Sequence, residues 1–306
     1  MSAPLPRYRV LFGAGTLFLV LMLAPIRNEV NSAFWDPLMD AAHVPLFAWL
    51  TWLLYATNPV GFASRTANLR FSIFAALAMA AAVEILQSFT GRSGNLDDFL
   101  KGALGIGSVA LVLGGWRSTG VVAGVVALML VLTPPALAAR GMLWRAVHFP
   151  LLADFESSAE NALWLTEDRD ALLAPTGRRR VPGHATHGAR SLRVSIRKGQ
   201  WPGVRMLCAD QNWSGFSTFA FDVQNDEQPF TLSVRIDDAR SIDHSNRFNE
   251  AFPIARGLNH VRIPLAGIAS QPRSGPLDLH AIRRVVFFED WSDREHTYFL
   301  DYVRLE

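Results

Sequence analysis

Val121–Ala139 reads VVAGVVALMLVLTPPALAA, nineteen residues without a charge. Further on, Phe230–Asp238 reads FTLSVRIDD, in which Phe230, Leu232, Val234 and Ile236 alternate with polar neighbours. The first stretch is long enough to cross a hydrocarbon core of about 30 Å as a helix. The second has the period-two alternation of a half-buried strand. The two patterns cannot share one core, and the fold class follows: a polytopic all-α transmembrane bundle of five helices, then an all-β jelly-roll sandwich.

Composition divides the chain at the same place. Of 29 Lys+Arg and 27 Asp+Glu in 306 residues, only nine and six fall in residues 1–140. The remaining 20 and 21 fall in residues 141–306, the charge density of an ordinary globular domain. Neither half carries a basic excess, which excludes a nucleic-acid partner. The single cysteine, Cys208, excludes a disulfide framework and a Cys-rich zinc site. Cys208 lies between Leu207 and Ala209, and the following Asp210 opposes thiolate formation.

Five apolar stretches fill the first half, at 10–26, 41–60, 71–89, 99–116 and 119–139. Residues 1–140 are therefore expected to be transmembrane, 141–153 a linker, and 154–306 a sandwich. Short alternating runs at 192–197, 219–223, 230–236, 261–263, 285–288 and 298–305, separated by Pro/Gly/Asn/Asp turns, support the sandwich. The positive-inside count is tied, five against five. The tie is broken by the weak leverage of Arg140 and Arg145 ahead of a large domain. The expectation is a cytoplasmic N-terminus in a bacterial inner membrane, with the C-terminal domain extracytoplasmic.

Polar side chains in the first half gather at three stretch ends: Asp40 and His43, then Glu84, Gln87 and Arg92, then Asp97 and Asp98. Consecutive crossings alternate direction, so these ends share one membrane face. Ionisable groups inside a membrane mark function or a packing ion pair. Asp40, His43, Glu84, Gln87, Arg92 and Asp98 thus form a candidate polar site.

Glu84-Ile85-Leu86-Gln87, Gly91-Arg92-Ser93-Gly94, Leu96-Asp97-Asp98-Phe99-Leu100 and Gly105, with His43 upstream, resemble the VanZ-like membrane family. Gly102 stands where that family has Asn, and Met39-Asp40 where it has Asp-Lys. The resemblance implies a bacterial cell-envelope protein with membrane lipids as partners, in a family whose founding member is linked to glycopeptide resistance. It supplies no activity. Arg92 suits a phosphate, and Glu84 or Asp98 a proton.

Asp154-Phe155-Glu156, His187–Leu192, Trp201-Pro202-Gly203-Val204 and Phe299–Leu305 resemble, in that order, carbohydrate-binding jelly-roll modules of the galactose-binding-like class. Such modules imply a structural Ca²⁺ near the first and last strands, here at Glu156 and Asp301. Asp301 either shares a face with Phe299, Val303 and Leu305 or lies opposite a face made by Tyr298, Leu300 and Tyr302. Trp201, Trp213 and Trp291 are candidate stacking rings for a glycan, with Asp237 and Arg247 offering hydrogen bonds; each is otherwise a core or loop residue. Two functions follow. One is a non-enzymatic envelope protein recognising a glycan or lipid-linked saccharide. The other is a membrane enzyme acting on a lipid-linked or phosphorylated lipid through Glu84, Arg92 and Asp98.

Overall fold

The computed structural model describes residues 13, 15–18, 32–89, 96–167 and 176–306. The chain forms two compact units, Met1–Asn28 with Trp35–Pro135 and Glu29–Phe34 with Ala136–Glu306.

The first unit is helical: α1 (Ser32–Ala41), α2 (His43–Thr57), α3 (Arg65–Phe89), α4 (Leu96–Leu113) and the start of α5 (Arg117–His148). Among the described residues two helices, Arg65–Leu86 and Arg117–His148, are long and apolar enough to cross a membrane, so the expected five become two. The reasons are local. The apolar run 41–60 holds a helix of only 15 residues, about 22 Å long. That helix ends where Asn58 turns left-handed at φ 43° and returns its amide to Leu54. Helix α4 opens on Asp97, Asp98 and Lys101, which shortens its apolar part. The stretch 10–26 lies almost wholly outside the described residues.

Helices α2 and α4 cross closely because α4 carries glycine at the contact. A Cβ on Gly105 would run into the Val44 carbonyl oxygen, and one on Gly102 would come 2.9 Å from the Phe47 ring. Phe47, Leu50, Ala76, Ala80, Val83 and Ile106 form the packed centre. Helix α5 is apolar yet leaves Val121, Val122, Met129 and Leu130 exposed. An apolar helix with uncovered sides needs another apolar phase or partner around it.

The second unit is a β-sandwich. Its strands are β1 (Leu151–Ala153), β2 (Trp164–Glu167), β3 (Gly177–Pro182), β4 (Arg190–Ile196), β5 (Gly199–Gln200), β6 (Gly203–Gln211), β7 (Thr218–Asn225), β8 (Phe230–Asp238), β9 (Phe248–Ile254), β10 (Gly257–Pro264), β11 (Ile282–Phe288), β12 (Trp291–Ser292) and β13 (His296–Leu305). One sheet runs β10-β7-β13-β4-β3, with β1 also on β13; the facing sheet runs β2-β6-β11-β8-β9. The chain changes sheet between β6, β7 and β8, and again between β9, β10, β11 and β13. Each sheet therefore joins strands far apart in sequence. The inward residues of both sheets, with Trp164, Trp213, Phe219, Phe221 and Phe287 at their centre, make one core.

Residues 141–153 are not a linker. Helix α5 runs on to His148, and β1 follows almost at once. Gly141 lies against the Ala159 carbonyl and Leu163, and Met142 packs on the sandwich core. The buried Arg145 donates from Nε to the Leu152 carbonyl at 3.2 Å and from Nη1 to the Leu207 carbonyl. Those carbonyls give the end of the helix a fixed seat. Arg178–Arg180 belong to β3 and pair with Val194, Arg193 and Leu192.

Each reading of the last strand holds in part, on either side of a bulge, with Phe299 and Tyr302 left outside the core. Tyr298 and Leu300 point into the core, and so do Val303 and Leu305. The register shifts after Asp301, where Tyr302 takes φ 48°. The extra residue lets Leu300 and Val303 face the same way and leaves the Asp301 carboxylate buried at the turn.

Candidate functional site

The outward face of the β2-β6-β11-β8-β9 sheet carries a cleft. Since Val285, Phe287, Val234 and Ile236 are buried inward, their neighbours point outward. Strand register arranges these in rows. Phe288 stands opposite Ser233, and Ser233 opposite Ala251. In the next row Val286 lies between Arg205 and Arg235, and Arg235 stands opposite Asn249. In the third, Arg284 stands opposite Asp237. Above this floor is a space of about 840 Å³ that Trp201, His244, Arg247, Glu250 and Asp290 also border.

Trp201 is 41% exposed and sits at φ 52°, a left-handed conformation unusual for a bulky residue. Its amide donates to the Asp290 carbonyl at 3.4 Å. An exposed indole above Phe288, Val286 and Ala251, with polar groups beside it, is the usual make-up of a small-molecule cleft.

The electrostatics centre on Asp237. Its carboxylate is 2% exposed, accepts from Arg235 Nε at 2.8 Å and Nη2 at 2.6 Å, and also accepts from Arg284 Nε. Burial lowers the pKa of the Arg247 guanidinium, and the neighbouring Arg235 charge adds to that lowering. Among the described residues, Arg247 Nε and Asn249 Nδ2 are buried without a hydrogen-bond partner.

Of the glycan contacts expected from sequence, Trp201 and Arg247 border the cleft. Asp237 lies beneath it and orients arginines. Trp291 is exposed on β12, in a neighbouring space of about 500 Å³ that it shares with Glu289 and His296. Ser233 and Asp290 border both spaces. Trp213 is corrected to core: it is fully buried and stacks on Phe219 at 5.1 Å. Arg235, Asn249 and Phe288 were missed. The alternation of β8 already placed Arg235 on the polar face, but nothing local brought β9 and β11 beside it.

The two carboxylates expected to hold calcium are engaged with one loop. Glu156 Oε1 accepts from the Ala189 and Arg190 amides at 2.7 and 2.6 Å. Asp301 Oδ2 accepts from the Thr186 and His187 amides at 2.6 and 2.9 Å, while its Oδ1 is buried without a partner among the described residues. Burial raises the Asp301 pKa. No three His, Cys, Asp or Glu side chains gather as metal ligands among the described residues.

In the helical unit, His43 is 1% exposed and its Nδ1–H donates to the Asp40 carbonyl at 3.0 Å. A carbonyl only accepts, so this bond fixes the tautomer and leaves Nε2 facing Glu84 Oε1 at 3.8 Å. Lys101, absent from the sequence-derived set, binds Asp97 and Asp98 at 2.7 and 2.8 Å and lies 3.8 Å from Asp40. Asp40, His43, Glu84 and Asp98 thus come to one end of the helices. Gln87 is on α3 with its side chain outside the described residues, and Arg92 lies outside them altogether.

No family model and no curated protein matches the chain. Several solved structures resemble it in part. The family 11 carbohydrate-binding module from Clostridium thermocellum, in complex with a β-1,3-1,4-mixed-linked tetrasaccharide, is 16% identical over 51% of this chain and 93% of that one, with a TM-score of 0.40. An exo-β-agarase is 15% identical over 51% of this chain and 24% of that one, at 0.41. A xylan-binding domain from CBM 22 is 14% identical over 50% of this chain and 90% of that one, at 0.33. TM-scores this low leave the cleft itself to carry the functional reading, and the VanZ-like resemblance stands on its motif residues alone.

Proposed function

We propose that the sandwich is a saccharide-recognition module and that the helical half holds it on the outer face of a bacterial cytoplasmic membrane. The observation that carries the recognition role is the cleft bordered by Trp201, Arg235, Arg247 and Asn249. A flat indole covers the apolar face of a pyranose with few torsions to freeze, while the donors beside it take up hydroxyls. Cys208 supplies no nucleophile, since burial pushes its thiol up to about 12.

The test is affinity electrophoresis and calorimetry of the full-length protein in neutral detergent against mixed-linkage β-glucan, xylan and polygalacturonate. Trp201→Ala is expected to weaken every saccharide the protein binds by about tenfold, the worth of one stacked ring. A wild-type protein that binds none of the three and no sulfated polysaccharide either, or a Trp201→Ala variant that binds as well as wild type, defeats the reading.

The membrane placement rests on the two long apolar helices and the uncovered apolar side of α5. Alkaline phosphatase fused after residue 118 is expected to be inactive, and after residue 160 active. The first position lies at the start of α5 and the second beyond its end, so equal activity at both removes that helix as a crossing.

A further inference from the structure

We infer that the cleft is built for an anionic saccharide, one bearing carboxylate or sulfate groups along its chain. This deepens the saccharide reading and depends on it. The floor places Arg235 and Arg284 on either side of Asp237, and the charge of both bears on Arg247. Two guanidiniums thus share one buried carboxylate, with a third close enough to feel their charge. Asp237 turns both its oxygens to Arg235 and Arg284 and makes no bond to Arg247.

The buried polar atoms still lacking a partner at the cleft point the same way. Arg247 Nε and Asn249 Nδ2 are both donors. Polar groups left unpaired by the fold indicate what a ligand has to supply, and here that is acceptors. A guanidinium takes carboxylate or sulfate oxygens two at a time, so Arg247 is suited to an acidic substituent more than to a hydroxyl. The cleft's acids, Glu250 and Asp290, are both exposed, where water screens them. A uronate or sulfated sugar offers an apolar ring face for Trp201 and an anion for Arg247 in one unit. A nucleic acid fits less well, because the described rim of the cleft offers one exposed indole and the His244 imidazole where single-stranded binding uses a series of stacking rings.

The full-length protein in neutral detergent is titrated with polygalacturonate, dextran sulfate, mixed-linkage β-glucan and a single-stranded DNA. Arg247→Gln is the diagnostic variant, since the fold does not use its Nε. In about 50 mM salt an acidic polymer is expected to bind at least about tenfold tighter than the β-glucan, an advantage that shrinks in about 500 mM salt. Arg247→Gln is expected to close most of that gap while the melting temperature stays at the wild-type value. Polygalacturonate against dextran sulfate tells carboxylate from sulfate, and preference for either supports the inference. Equal, salt-insensitive binding of β-glucan and acidic polymers overturns it and leaves the saccharide reading in place. Preference for the DNA, or binding of none of the polymers, overturns both.

Discussion

Asp237→Ala is expected to lower the stability of the β-sandwich by about 3 kcal/mol and to abolish polysaccharide binding. The carboxylate is 2% exposed, and its partners' side chains, at 16% for Arg235 and 33% for Arg284, are only partly exposed. Removing it leaves two guanidiniums facing each other, with Arg247 nearby, and no counter-charge beneath them. Part of the cost is screened because the arginines reach solvent, which keeps the figure at the low end for breaking a buried pair. For a domain of this size the loss corresponds to a melting temperature lower by roughly 6–12 °C. Tryptophan fluorescence measures it directly, since Trp164 and Trp213 are buried in the core. High salt should recover part of the loss by screening the arginines. A variant that melts with wild type, or a loss that salt deepens, contradicts this account of the cleft floor.

Glu160→Gln is expected to cost about 2 kcal/mol near pH 5 and visibly less near pH 7.5. The Glu160 side chain is buried in the turn after β1. Its Oε2 accepts from the Asp154 and Phe155 amides and its Oε1 from the Ser157 amide, each at 2.9 Å. Glutamine has a single acceptor oxygen, so its amide group must face a donor. The pH dependence comes from burial, which pushes the Glu160 carboxyl up to about 7 against the opposing pull of the three amides. A folded-state pKa above the unfolded one means that the native protein holds a proton the unfolded chain releases. That stabilisation is complete below about 4.5 and is lost as pH rises through about 7, on the order of 3 kcal/mol in all. Glutamine does not titrate, so the stability gap between wild type and variant narrows across this window. A gap that stays constant between about pH 5 and pH 7.5 would falsify the raised pKa.

Both predictions depend on residues that sequence patterns treated unequally. Asp237 was singled out as a candidate sugar contact and proves to act beneath the surface. Its neighbour Arg235 in β8, visible on the polar face of the strand, went unnamed. Glu160 drew no attention, because a carboxylate in a turn is usually solvated and only the fold of 151–163 buries this one. Trp213 and Trp201 are equally aromatic in sequence, yet one stacks on Phe219 in the core and the other stands in solvent at the cleft. In the helical half Asp40, His43, Glu84 and Asp98 come to one end of the helices, and Lys101, which lies within an apolar run of the sequence, binds Asp97 and Asp98 there.

Sequence alone determined the division into an apolar helical half and an alternating β half, because helix and strand periodicities are local and the second half carries more than twice the charge density of the first. It also determined which side of each regular strand is apolar. Tertiary structure decided how many helices are long enough to cross a membrane, since Asn58 and the charges opening α4 shorten runs that composition counts as whole. It decided the phase of the last strand, where a bulge at Asp301 gives both alternations an inward face. It alone assembled the cleft, by pairing β11 between β6 and β8 and β8 with β9. Strand register fixes which outward side chains become neighbours, and register across such sequence separations is set by the packing of the whole core, which no local pattern encodes.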